Sequence, residues 1–374
     1  MTITPSPTLD DSEFDSLLLA GTPIIDVRAP QEFLEAHVPG STNLPILQDE
    51  ERKLVGTCYK QRGQDAAIQL GHELVGGDTR SMRVAAWKTF VEQHPTAVIA
   101  CFRGGLRSKI AQSWLTEIGI PIRRVAGGYK ALRTHLLKTT TRVAEVKSIV
   151  ILSGKTGTGK THLINQLSNS VDLEGLANHR GSAFGRRVSA QPTQVVFENK
   201  LAIELLKQAK TGNPFLFLED ESRAIGSIAL PLEFHRQMSN AKIASVHENL
   251  DFRIETILND YIVSNYEDYM KLSGEQALAL FSESLIASLD RIKKRLGGER
   301  HSDLRKIMQS ALNKDNDLDL HREWIKRLLV DYYDPMYEYQ MSKKSERVTF
   351  RGSREEFLDW AAMFDQPPPL AQRL

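Results

Sequence analysis

Cysteine is almost missing from this chain: among 374 residues there are two, Cys58 and Cys101. Two thiols cannot build a metal cage by themselves, and they do not resemble the cross-linked framework of a small secreted protein. No apolar run approaches the roughly 18 residues of a membrane span. The first twenty residues carry Asp10, Asp11, Glu13 and Asp15 where a secretory signal would have a basic region and an apolar core. Neither sign of charge is in excess, because 48 Lys and Arg stand against 47 Asp and Glu, for a net +1. A nucleic-acid surface must therefore be a local patch. Repeats are absent, and the one biased stretch is Pro367-Pro368-Pro369 in the tail. The absences point to a cytoplasmic protein with no membrane partner. What is present, 41% hydrophobic and 25% charged residues, suffices for two or three globular domains.

The most informative stretch is Cys101-Phe102-Arg103-Gly104-Gly105-Leu106-Arg107-Ser108. It follows the β-prone run Ala97-Val98-Ile99-Ala100 and precedes a helical pattern through Ile110, Trp114 and Leu115. A cysteine at a strand end, on a glycine loop that opens a helix, meets converging backbone N–H groups and positive potential from Arg103 and Arg107. Such a setting favours thiolate over thiol and also docks anions. Cys101 is thus a candidate nucleophile that carries a group as a covalent adduct.

Short strands, turns and helices alternate on both sides of this loop, which predicts a parallel α/β sheet. Ile25-Asp26-Val27-Arg28, Glu32-Phe33, His37-Val38-Pro39-Gly40-Ser41 and Asn43-Leu44-Pro45 resemble the opening of a rhodanese domain. Cys101 with its loop, then Val125-Ala126-Gly127-Gly128-Tyr129, is similar to the end of one. That resemblance implies sulfur or selenium carried as a cysteine persulfide or perselenide. Five residues separate Cys101 from Arg107, where ordinary sulfurtransferases have four. The wider spacing is that of cysteine phosphatases and would also suit a selenophosphate-like donor. Asp26 and Arg28 are expected to pair and orient the loop. Cys58 reads as a small packed residue or a resolving thiol. The polar tract from Gln61 to Arg83 reads as an insertion with a solvated face.

A polar link, 139–147, separates this first domain (1–138) from a second (148–374). There the buried strand Ser148-Ile149-Val150-Ile151-Leu152 runs into Gly154-Lys155-Thr156-Gly157-Thr158-Gly159-Lys160-Thr161, a complete phosphate-binding loop with a helix behind it. Its glycines let N–H groups wrap a diphosphate, Lys160 supplies a point charge, and Thr161 can ligate Mg²⁺ or phosphate. Glu219, Asp220 and Glu221 end another apolar strand, and their carboxylates are candidates to hold Mg²⁺ or polarise a water. The loop with Arg180, Ser182, Phe184 and Arg186 suits a substrate lining, since arginine pairs phosphate through two bonds. Gln191-Pro192-Thr193-Gln194 begins the next helix. From about 265 to 345 the chain is predicted to be mainly helical, and Arg291, Lys293, Lys294 and Arg295 form a basic stretch able to track an RNA backbone. Tyr332, Tyr333 and Tyr337 read as core, with base stacking as the alternative.

Taken together, these blocks, with His179-Arg180-Gly181-Ser182-x-Phe184-Gly185 and Gln191-Pro192-Thr193-Gln194-x-x-Phe197-Glu198-Asn199, resemble the tRNA 2-selenouridine synthase family over nearly the whole length. The resemblance implies action on wobble 2-thiouridine in tRNA. It further implies that geranyl diphosphate first alkylates the sulfur and that selenium from selenophosphate then replaces the S-geranyl group through a Cys101 perselenide. It implies no tightly bound cofactor and no resident metal, with Mg²⁺ at most a companion of the diphosphate. Its partners would be tRNA, the two co-substrates and the synthetase that makes selenophosphate. Two rivals stay open: an NTP-dependent tRNA sulfurtransferase, and a phosphate-loop binding module with a phosphatase-like rhodanese domain.

Overall fold

A computed structural model describes residues 8–313 and 316–364; the Pro367-Pro368-Pro369 tail lies outside them. Two compact units are present, Met1–Thr140 with Thr193–Lys207, and Thr141–Pro192 with Gln208–Leu374.

The first unit is built on β1 (Thr8–Leu9), β2 (Ile24–Asp26), β3 (Ser41–Asn43), β4 (Val98–Ala100) and β5 (Arg123–Val125). They form one sheet in the order β1-β5-β4-β2-β3, and every pairing is parallel. Strand periodicity sends Ile24 and Val98 to one face, with Phe14, Leu132 and Leu136. Ile25 and Ile99 go to the other, with Trp87, Trp114 and Leu115. Both central strands are buried throughout, as a sheet covered on both faces requires.

Two expectations are corrected here. The polar tract 61–83 is mostly exposed, as expected, and is helical: it lies in Asp49–Leu74, broken at Gly63, and Gly77–Gln93. Trp87 on the second of these is fully buried and donates its indole N–H to Leu44 O at 2.9 Å. The expected link 139–147 is largely the end of the helix Gly128–Val146, whose Leu132, Leu136, Thr139 and Val143 are buried along one stripe. The helix Gln194–Lys210, expected in the second domain, packs Ala202, Ile203 and Leu206 into the first unit's core. Asn199 there donates to His37 O at 2.7 Å.

The second unit holds β6 (Ser148–Gly154), β7 (Ser170–Val171), β8 (Phe215–Glu219), the small antiparallel ribbon β9 (Ala224–Ile225) and β10 (Ile228–Ala229), β11 (Lys242–Val246) and β12 (Val348–Gly352). Its main sheet runs β12-β11-β6-β8-β7, all parallel. The phosphate loop thus leaves the carboxyl end of the central strand, where open parallel sheets bind ligands. A helical lobe follows, from Leu250–Ile257 to Asp334–Ser342, packed around Phe281, Leu285, Leu289 and Trp324. Two π-helical segments interrupt it, Leu258–Val263 and Leu329–Tyr333.

Candidate functional site

The Cys101 loop is shaped by glycine. Gly104 (φ +61°) sits where a Cβ would fall 2.8 Å from Gly127 N and Val125 O. Gly128 (φ +59°) lies so close that a Cβ would strike Cys101 O and Gly104 N. Only glycine fits at either place, because the two loops touch backbone to backbone. Tyr129 N and Lys130 N then donate to Cys101 O and Phe102 O at 2.8 and 2.9 Å. The candidate nucleophile Cys101 is 3% exposed, and its Sγ lies 3.2 Å from Ser108 Oγ. The apolar neighbours Ile25, Ile99 and Trp114 draw the strand end inward.

Arg107 is not waiting for an anion. It makes a two-point pair with Glu32, Nη1 to Oε2 at 2.6 Å and Nη2 to Oε1 at 3.2 Å. Burial works against charge on both partners, but the pair overcomes it: Glu32 is held below the usual carboxylate range and Arg107 is raised. Arg103 is exposed, its guanidinium 5.7 Å from the Phe102 ring centre. Asp26 and Arg28 do pair, at 2.6 Å and fully buried, and Arg28 also donates to Ala36 O and stacks on Tyr129. A cavity of about 800 Å³ opens beside the loop, lined by Leu106, Arg107 and Trp114 with Arg52, Lys60 and His72. Cys101 is not among its lining residues.

In the second unit a cavity of about 530 Å³ gathers most of the residues singled out from sequence. The phosphate loop forms its floor. Gly157 (φ +87°) and Gly159 (φ +69°) turn the backbone in left-handed conformations, with Arg253 backbone and the Arg354 guanidinium pressed against them. Lys160 Nζ bonds Gly154 O at 3.0 Å, Thr161 Oγ1 donates to Glu174 Oε2 at 2.9 Å, and Lys155 is held by Glu338 at 2.7 Å. Arg253 braces the loop through Thr156 O (2.8 Å) and a two-point pair with Asp334.

Glu174, Asp220 and Glu221 also line this cavity, while Glu219 is buried and not part of the lining. Glu219, 1% exposed, accepts from Leu173 N and Glu174 N at 2.9 and 3.2 Å, while its other oxygen has no hydrogen-bond partner. Burial, with the charges of Glu174 and Asp172 behind it, pushes Glu219 up to about 8. Glu174 and Glu221 are raised for the same first reason, against the pull of Lys160. Asp220 instead accepts from Ser153 (2.8 Å) and Lys344 (2.8 Å). Sequence reasoning missed Glu174, which no motif marks; only the fold brings it, with Glu221, to Lys160.

The cavity's roof comes from both π-helical segments, which supply Asp260, Tyr261, Tyr332 and Tyr333. Such segments recur at functional sites because the extra residue re-aims side chains. Tyr332 and Tyr333 pack against the lobe's core, as read from sequence, and with Tyr337 they also line the cavity; Tyr337 OH lies 3.3 Å from Ser245 Oγ. Arg180 and Ser182 line the same cavity; Phe184 is buried against Trp324, with ring centres 5.7 Å apart. Phe184, Trp324, Ile325, Leu328 and Leu329 edge an apolar crevice that shares Ile257, Tyr261 and Tyr333 with the cavity. The basic stretch is divided: Arg295 lines this cavity, Arg291 and Arg186 line another, and Lys293 and Lys294 are exposed. No helix among the described residues is long and apolar enough to cross a membrane.

A rhodanese-type sheet with a cysteine loop and a phosphate-loop α/β unit with a helical lobe define the class. Residues 10–135 match the rhodanese-like domain, and residues 147–366 match the tRNA 2-selenouridine synthase AAA domain. The chain belongs to the tRNA 2-selenouridine synthase family. It is 48% identical to the tRNA 2-selenouridine synthase of Pseudomonas fluorescens, covering 94% of this chain and 98% of the relative. The Photobacterium profundum synthase is 48% identical (93% and 97% covered), and that of Bordetella petrii 46% (98% and 98%).

Proposed function

We propose that this enzyme acts on tRNA and replaces the sulfur of wobble 2-thiouridine by selenium, with geranyl diphosphate and selenophosphate as co-substrates. The observation that carries the reading is the phosphate-loop cavity, where a cationic floor adjoins the apolar crevice of Phe184, Trp324 and Leu328. The loop fits the diphosphate; the crevice, about 20 Å³ as it stands, is an apolar wall that would have to open to take the hydrocarbon chain. In the first step the thiocarbonyl sulfur bonds to geranyl C1 while the C1–O bond breaks. The departing diphosphate takes the electron pair, stabilised by Lys160 and the loop N–H groups. Thr161, Glu174 and Asp220 supply the oxygens that a Mg²⁺ accompanying the diphosphate would meet.

In the second step selenium bonds to C2 of the base and geranyl thiol leaves. With a Cys101 perselenide as donor, loading forms Sγ–Se and breaks Se–P, and phosphorus keeps the pair and departs as phosphite. Transfer then leaves selenium bridging Sγ and C2, and a small thiol must reduce that link. The burial of Cys101 favours a second route for this step. Selenophosphate attacks C2 directly, the cysteine loop serves as an anion cradle, and hydrolysis of Se–P yields phosphate without a reductant.

The test is incubation with thiolated tRNA and geranyl diphosphate, then selenophosphate, with nucleosides analysed by mass. S-geranyl and then seleno nucleosides are expected. Their absence, with Lys160-dependent NTP hydrolysis instead, would transfer the reading to an NTP-driven sulfurtransferase. Absence of any tRNA product, with phosphatase activity, would leave a binding module. Phosphite marks the perselenide route and phosphate the direct one.

A further inference from the structure

A second cavity, of about 630 Å³, lies on the far side of the segment Gly181-Ser182-Ala183, which lines both it and the phosphate-loop cavity. Its charged lining is of one sign: Arg186, Arg187 and Arg291, with His179 and no carboxylate. His179 is 9% exposed and its Nδ1 has no hydrogen-bond partner; neither has Arg187 Nε. Buried polar groups are seldom left so, and each has room for a partner, water or ligand.

The site is also held rigidly. His179 and Arg186 face each other across an antiparallel bridge, and Arg180 N donates to Gly185 O at 2.9 Å. Gln191 ties the rim, donating to Ala177 O and Ile225 O and accepting from Ser227 N, all within 3.0 Å. Arg291 is anchored on Ala183 O and Ser288 Oγ, each at 2.7 Å. Burial, with Arg291 and Arg187 nearby, holds His179 below the usual imidazole range; burial and Arg186 lower Arg291. Three arginines thus share the lining without an acid among them, so an anion entering the cavity relieves their repulsion.

We propose that this cavity is a phosphate site for the tRNA backbone, next to the nucleoside that reacts in the phosphate-loop cavity. The inference rests on the tRNA reading above. A lone phosphate would leave most of the space to water, whereas a nucleotide chain passing the shared wall fills it with sugar and phosphate. Arginine suits that task because its planar fork meets two phosphate oxygens at once.

The experiment measures tRNA affinity between 50 and 200 mM salt for the wild type, Arg187→Gln and Arg291→Gln, roughly the range where counterion release is resolved. Geranyl diphosphate and inorganic phosphate are titrated beside it. Each variant is expected to bind tRNA about tenfold more weakly, with the log–log salt slope reduced by about 1. Geranyl diphosphate affinity should not move. Two folded variants with unchanged tRNA affinity and slope would overturn the pocket alone. So would equal loss of geranyl diphosphate, or loss of inorganic phosphate binding with tRNA unaffected, which would make it a small-anion site. A wild type that binds no tRNA would overturn the substrate reading instead.

Discussion

Arg107 Nη1 lies 2.6 Å from Glu32 Oε2, so the arginine of the cysteine loop is committed to a carboxylate. Glu32 stands in the helix Pro30–Glu35, and Arg52 reaches the same oxygen at 3.0 Å. The charge on the helix behind Cys101 is thereby fixed in place and partly neutralised.

Replacing Glu32 by Gln should cost about 1–3 kcal/mol, since it leaves a largely buried guanidinium without its counter-charge. Glu32 is lowered in the folded protein, so its contribution is present above the unfolded pKa, near 4.5, and fades as pH falls through the lower folded value. Urea titrations should show a smaller acid-side loss in the variant. Identical acid limbs would show that the pair is idle.

Gly128→Ala places a methyl group against Cys101 O and Gly104 N at a left-handed φ of +59°. Backbone cannot yield as a flexible side chain does. The variant should lose at least about 2 kcal/mol and most selenium transfer, while geranylation persists. A fully active Gly128→Ala would mean that the two loops need not touch.

The two reactions should separate by mutation. Lys160→Ala removes the ammonium proposed to stabilise the departing diphosphate, and geranylation should fall by 100-fold or more, roughly the cost of losing one strong transition-state contact. Cys101→Ser should keep geranylation; its selenation is lost on the perselenide route and retained on the direct one. Nucleoside mass analysis reads both. Loss of both activities in each variant, with folding intact, would contradict the division of labour.

Glu219 is raised to about 8, so between its unfolded value of 4.5 and that figure the folded state binds the extra proton. Stability should therefore decline as pH rises from about 5 to 8, by at most about 1.4 kcal/mol per unit from this group, and level off above. Glu219→Gln should flatten that decline in thermal melts taken across the range. An unchanged slope would assign it to the neighbouring Glu174 and Glu221.

What the sequence determined by itself was local. Gly127-Gly128, the Cys101 loop and Gly154 to Thr161 are contiguous, and their glycines and cations state their backbone needs within a few residues. The apolar strands Ile24-Ile25, Val98-Ile99 and Ile149–Leu152 declared a parallel sheet because they are buried on both faces. Tertiary structure alone decided the partners. Glu32 reached Arg107 across 75 positions, and Glu174 and Glu221 converged on Lys160 from separate segments. The helix Gln194–Lys210 joined the first unit's core although it follows the phosphate loop in the chain. Charge pairing and packing depend on distance in space, which neither composition nor periodicity encodes, and the burial of Cys101 was decided at that level too.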